Sequence, residues 1–177
     1  MSFFYRSARI GKNGKQIEVL KIRTLKEGSS KSNFAEKDAY IWYGRFLRKI
    51  KADELPQIWT ILKGDMALFG PRPMEARELD LLPEGMKNVL LSVKPGLIDL
   101  ASIHFFNEES ILQQMKDPHR AYFEVIRPIK FALQAFYIEH RNWALDFALA
   151  YMALKKVLLS FFKKPCPTTQ QLLRKVD

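Results

Sequence analysis

Two short runs rich in β-branched and aromatic residues open the chain, and Asn13-Gly14 lies between them. The pattern predicts a β-hairpin over residues 3–24 with a two-residue Asn-Gly turn. In that register Ile10 faces Ile17, and Arg9 faces Glu18 across the ladder. Lys21 and Arg23 then share one face of the second strand, with Leu20 and Ile22 on the other. Residues 26–32 are a polar loop. Asn33 and Glu36 resemble a capping box, and Tyr40, Tyr43, Leu47 and Ile50 follow at near-helical spacing, which predicts a helix over about residues 34–50.

A short helix is expected from Glu54 or Pro56 to Lys63, stopped by Gly64. Residues 65–73 read as a loop, and residues 75–91 as helical but broken at Pro83. Lys94-Pro95-Gly96 reads as a turn. Two longer helical patterns span about residues 118–139 and 142–163, and a flexible tail covers 165–177. The expectation is a single α+β domain over residues 1–177. It is predominantly helical, with a small N-terminal hairpin and amphipathic helices that present apolar and basic faces to an interface.

Composition changes this picture at one point. Hydrophobic and charged contents of 47% and 27% are ordinary, but the net charge of +10 is not. It implies an anionic partner: a phosphorylated substrate, an anionic lipid surface or a nucleic acid. No nucleic-acid recognition motif is present, which argues against the last. Cys166 is the only cysteine, so an intrachain disulfide is impossible. His104, His119 and His140 are scattered without zinc-type spacing. Residues 1–15 carry Arg6, Arg9, Lys12 and Lys15 with no apolar run behind them, unlike a secretory signal. The most apolar stretch, residues 143–162, contains Asp146, Lys155 and Lys156. It should not span a membrane, but it can lie on one with its lysines among the headgroups.

The stretch KADELPQIWTILKGDMALFGPRP, residues 51–73, carries the candidate chemistry. Asp53 and Glu54 stand together at a helix entrance, where an acidic residue is usually a cap. Pro56 lacks the N–H that such a cap would serve, and it disfavours a helical Leu55. Asp53 is therefore a poorly employed cap. Adjacent carboxylates tolerate each other best beside a cation. Mg²⁺ takes one or two carboxylates plus substrate phosphates, and an aspartate can attack phosphorus. Arg72, between two prolines, can offer a bidentate fork to phosphate. Lys21 and Arg23 are further cations for such a site. The basic cluster Arg45, Arg48, Lys49 and Lys51 also has a structural explanation, because cations suit a helix C-terminus.

The segments RSARIGKNGKQIEVLKIRTL, GRFLRKIKADELPQIWTILKGDMALFGPRP and VKPGLIDLAS resemble the bacterial sugar transferases, the small monotopic phosphoglycosyl transferases. The resemblance covers most of residues 5–102, and the later DPHRAYFEVIRPIKFALQAFYIEHRNWALDFALAYMAL is similar to the C-terminal helices of some members. It implies an Mg²⁺-dependent transfer of a phospho-sugar from a UDP-sugar to polyprenyl phosphate, at the cytoplasmic face of the bacterial inner membrane, in cell-surface glycan synthesis. It makes Asp53 the nucleophile, Glu54 its partner, and Lys21 and Arg72 functional cations, with Asp53 and Glu54 as metal ligands. Arg9, Arg23 and Lys94 are candidate substrate-binding residues.

The chain departs from the pattern in places. The family's apolar re-entrant helix would precede the hairpin, so the resemblance implies an N-terminally truncated domain. Ile98 and Asp99 replace a Thr and a Gly, Lys94 stands where Arg is frequent, and Phe106 stands where many members carry an arginine. The alternative implied by these departures is a catalytically impaired binding or regulatory relative.

Overall fold

The computed structural model describes residues 2–28, 39–112 and 114–161. The expected capping box at Asn33 and Glu36, Cys166 and the tail lie outside them. Strands β1 (Phe4–Ile10) and β2 (Gln16–Ile22) form the hairpin, but its register is not the expected one. Arg9 pairs with Ile17, and Ile10 with Gln16. The Asn-Gly turn itself forms: Asn13 and Gly14 both take left-handed backbone with φ of 57° and 78°, and the Lys15 N–H donates to the Lys12 carbonyl at 3.2 Å. The Gly11 N–H donates to the Lys15 carbonyl at 2.8 Å, one step beyond where a two-residue turn would close. The inward face of β2 therefore reads Ile17, Val19, Lys21. Ile17 and Val19 are buried with Met66 and Ile61, and Lys21 continues that stripe to the edge of the core.

Helix α1 (Gly44–Lys49) begins later than its periodicity predicts. Residues 39–43 are not α-helical, because Tyr40 pairs with Leu25 as an isolated bridge and the Ile41 N–H donates to the Thr24 carbonyl. A Cβ on Gly44 would lie 2.1 Å from the Thr24 carbonyl oxygen, so only glycine allows this approach. A 3-10 turn, Ala52–Gln57, leads into α2 (Ile58–Leu62), and Gly64 at φ 81° ends the run as expected.

Residues 65–73, expected to be loop, contain β3 (Ala67–Phe69). It pairs in parallel with β4 (Gly96–Ile98), so Gly96 is a strand residue rather than part of a turn. Between them lie α3 (Ala76–Leu79) and α4 (Glu84–Leu91), separated at Pro83 as expected. Glu75 and Glu78 form a capping box at the start of α3.

The C-terminal half is helical: α5 (Leu100–His104), α6 (Glu108–Leu112), α7 (Pro118–Ala121), α8 (Arg127–His140) and α9 (Trp143–Phe161). A π-helical segment, Tyr122–Ile126, joins α7 to α8. Pro128 cannot donate to the carbonyl four residues back, which accounts for the widened turn before it. Phe105, Leu112 and Ile126 form one apolar cluster. Ile103, Tyr137 and Leu149 form another, which packs on Phe69 and Ile98 and so fixes the small parallel sheet against α8 and α9. The domain is α+β and mostly helical, as its pattern predicts.

Candidate active site

Three separate segments deliver the charged groups. β2 brings Lys21 at the end of its buried stripe. Thr60 on α2 donates to the Glu18 carbonyl at 3.3 Å, which holds the 3-10 turn and α2 against that strand. The turn presents Asp53 and Glu54, both about nine-tenths buried. Asp53 does not cap it: the turn begins after Lys51, and Asp53 sits within it.

Arg72 arrives on the loop after β3, and this loop is pinned along its length. Gly70 N–H donates to Ile98 carbonyl, Gly96 N–H to Pro71 carbonyl at 2.9 Å, and Ile10 N–H to Met74 carbonyl at 2.9 Å. The two glycines are in backbone contact. A Cβ on Gly96 would meet the Gly70 nitrogen at 2.1 Å, and one on Gly70 would meet the Lys94 carbonyl at 2.7 Å. The flanking prolines remove further freedom.

These segments converge on Glu54. Lys21 Nζ donates to its Oε1 at 3.0 Å, Arg72 Nη1 to Oε2 at 3.2 Å, and Arg72 Nη2 to Oε1. Burial works to raise the Glu54 pKa, but Arg72 and Lys21 more than offset it and hold the carboxyl well below the usual range. Arg72 is held firmly protonated, chiefly by Glu54. Burial lowers the Lys21 pKa, with Glu54 opposing.

Asp53 is in the opposite situation. Among the described residues its Oδ1 is buried with no hydrogen-bond partner. Burial, and then the charge of Glu54, push its pKa up, while Lys21, Lys51 and Arg48 pull it back. Two neighbouring carboxylates with opposed pKa shifts are a recurring arrangement in acid–base and nucleophilic sites. One is tied to fixed cations. The other keeps a desolvated oxygen available to attack or to bind a cation.

The other expected site residues separate. Arg9 reaches the site: with Val19, Lys21, Gln57, Arg72 and Pro73 it lines a cavity of about 20 Å³, room for about one water. It is also paired with Glu75 at 3.2 Å and Glu78 at 3.7 Å. Arg23 is turned to the chain terminus, where its Nε donates to the Ser2 carbonyl at 2.9 Å. Lys94 lies beside Gly64, where its charge acts on Asp65. Neither of the last two contacts the carboxylate pair.

Two contributors escape sequence reasoning. Gln57 is buried against the cavity because the 3-10 turn rotates it inward. Asp99 accepts from Ala101 N–H, Ser102 N–H and the Ser102 hydroxyl, and so caps α5 while adding its charge to those acting on Arg72. Only an Asp before Leu-Ala-Ser hinted at that cap.

Residues 1–160 match the family described as bacterial sugar transferase. The chain belongs to the bacterial sugar transferase family. It is 32% identical over 159 residues to the uncharacterized sugar transferase EpsL of Bacillus subtilis, covering 89% of this chain and 70% of that protein. It is 30% identical over 180 residues to the exopolysaccharide production protein ExoY of Sinorhizobium fredii, covering 90% and 71%. It is 31% identical over 175 residues to the undecaprenyl-phosphate galactose phosphotransferase of Salmonella typhimurium, covering 87% of this chain but 33% of that larger protein. In this bacterial sugar transferase, as described, no helix is long and apolar enough to cross a membrane.

Proposed function

We propose that this protein transfers a phospho-sugar from a UDP-sugar to polyprenyl phosphate, through a covalent phosphosugar on Asp53, in the first membrane step of a cell-surface glycan. Family membership and the names of relatives that act on undecaprenyl phosphate support the reaction class. The observation that carries the mechanism is the partnerless Asp53 oxygen beside a fully engaged Glu54. In the first step the Asp53 carboxylate attacks the sugar-bearing phosphorus. A P–O bond forms, the bond to UMP breaks, and UMP leaves with that electron pair. In the second step a polyprenyl phosphate oxygen attacks the same phosphorus, and the Asp53–phosphorus bond breaks to restore the carboxylate.

Arg72 and Lys21 retain N–H groups beyond those given to Glu54, and these can meet developing phosphoryl charge. Glu54 keeps both cations oriented while Asp53 reacts.

The donor set suits Mg²⁺. Asp53 and Glu54 offer hard oxygens, one of them unclaimed, and no group of three or more His, Cys, Asp or Glu among the described residues forms a cage of its own. Asp53 would hold the ion through that unclaimed oxygen together with substrate phosphates, whose charge it would neutralise, while Glu54, already bonded to Lys21 and Arg72, adds its charge beside it.

The same reading places the domain peripherally on the cytoplasmic face of the inner membrane. Leu55, Ile58, Trp59 and Leu62 leave an apolar stripe exposed beside the site, and Trp143, Phe147, Tyr151, Leu154 and Leu158 do so along α9. Phe46 and Phe161 meet at 6.4 Å, which joins α1 to the end of α9. Such stripes, in a chain of net charge +10, suit an anionic bilayer surface.

The test is incubation of membrane-reconstituted protein with a panel of UDP-sugars, Mg²⁺ and undecaprenyl phosphate. UMP release and an Asp53 phosphosugar adduct in mass spectra are expected, and Asp53→Asn should give neither. No UMP across the panel sinks the reading and leaves a binding relative of the family.

A further inference from the structure

Lys51 sits two residues before Asp53, just past the end of α1, where the Lys51 N–H donates to the Arg48 carbonyl at 3.2 Å. Its backbone is left-handed, with φ 60° and ψ 17°. Among the described residues only Asn13 and Lys51 combine a side chain with positive φ. Glycine is the default residue after a helix end in this conformation, and asparagine the next choice. A lysine there is disfavoured by about 1 kcal/mol, so backbone geometry does not explain its presence.

The side chain has a defined place. Lys51 Nζ lies 5.5 Å from the centroid of Phe106, in the loop between α5 and α6, within cation–π range. Phe105 beside it is fully buried and anchors that loop. The other cations of this neighbourhood have partners: Lys21 and Arg72 on Glu54, Lys130 on Glu108 at 2.7 Å, and Arg48 over the Tyr40 ring at 5.6 Å. Lys51 as a whole is exposed, while burial around its ammonium lowers its pKa with Glu54 opposing, and it forms no ion pair among the described residues. An aromatic face holds an ammonium without neutralising it and leaves N–H donors free. Its charge is nonetheless felt by both Asp53 and Glu54.

We propose that Lys51, seated on Phe106, is a phosphate-binding residue of the active site that holds a phosphoryl oxygen of the donor diphosphate or of the acceptor monophosphate. The proposal rests on the reading of the site as a phosphoglycosyl transferase and adds a ligand contact to it.

The test is equilibrium binding, so it does not depend on turnover. Isothermal titration with UDP, and with farnesyl phosphate in detergent micelles, is run on wild type, Lys51→Gly and Lys51→Arg. Lys51→Gly suits the left-handed backbone, so its thermal midpoint should match or exceed that of wild type. Its affinity for one probe should still fall about 10- to 100-fold, and Lys51→Arg should recover most of the loss. A fall for farnesyl phosphate assigns Lys51 to the acceptor, and a fall for UDP assigns it to the donor. Affinities within about 2-fold of wild type for both probes, or wild-type protein that binds neither, overturn the proposal. Failure of the transferase reading shows separately, as absent UMP release from wild type.

Discussion

Asp53 and Glu54 are neighbours in sequence and equally buried, yet their neutralisation should move stability in opposite directions. Glu54→Gln removes the charge that Lys21 and Arg72 share. The Glu54 side chain is 11% exposed, that of Lys21 21% and that of Arg72 33%. Breaking a buried ion pair by neutralising one partner costs about 3–5 kcal/mol. The partial exposure of both cations, and the hydrogen bonds that an amide oxygen keeps, place this case at about 3 kcal/mol. For a domain of this size that lowers the thermal midpoint by about 6–12 °C. Asp53→Asn instead removes a charge that burial and Glu54 both disfavour, from a group whose Oδ1 has no partner to lose. It should be neutral or stabilising, by up to about 1 kcal/mol. Thermal unfolding followed at 222 nm in EDTA, at neutral pH, compares the two. If Asp53→Asn destabilises the fold as much as Glu54→Gln does, Asp53 is a structural carboxylate and the free-nucleophile reading collapses.

Gly96→Ala should cost about 3 kcal/mol and displace Arg72, because the added Cβ meets the Gly70 backbone nitrogen at 2.1 Å; a well-folded Gly96→Ala protein with unchanged denaturant midpoint would contradict the close-packed pair. The His104 pKa is lowered by burial and by Lys156. The unfolded chain therefore takes up the proton first, and stability should hold above the ordinary histidine pKa and fall as pH drops below about 6.5, by at most about 1.4 kcal/mol per pH unit. Urea melts at pH 7.5 and pH 5.5 should show that component shrink in His104→Gln. Phe147→Ser and Tyr151→Ser remove exposed side chains, 72% and 65% accessible, so they should leave the thermal midpoint within about 2 °C while weakening co-sedimentation with anionic vesicles; unchanged co-sedimentation counts against α9 as a membrane-facing helix.

Much of the candidate site was legible as a cluster because its residues lie close together in one segment. The Asp53-Glu54 pair, the missing donor at Pro56 and the proline-flanked Arg72 all fall within residues 51–73. The hairpin and both long C-terminal helices followed from their periodicity. Features set by contacts between distant segments were not legible. The hairpin register is shifted by one because the Gly11 N–H also closes on the Lys15 carbonyl, which leaves Lys12 as an extra residue ahead of the Asn13-Gly14 turn. β3 and β4 are three residues each, too short to show a period, and they exist because two glycines allow their backbones to touch. The start of α1 was misplaced because Thr24, twenty residues earlier, claims the Ile41 N–H. Arg23 was read from the strand face it shares with Lys21 and Lys94 from the family resemblance, and neither reading carries the contacts with Ser2 and beside Gly64 that the fold gives them.

The junction of Lys21, Glu54 and Arg72 also bears on how the protein comes to be made. Its hydrogen bonds close over sequence separations of 33 and 18 residues, and Arg72 is set in place only once β4 has paired with β3. Such non-local contacts form late, after loop closure has been overcome. A nascent chain that has just emitted the acidic pair thus carries an Asp53 whose neighbour is still unclamped and solvated. Asp53 acquires its buried environment only when hairpin, turn and parallel strands have all docked, so on the proposed mechanism chemical competence arrives together with the finished fold.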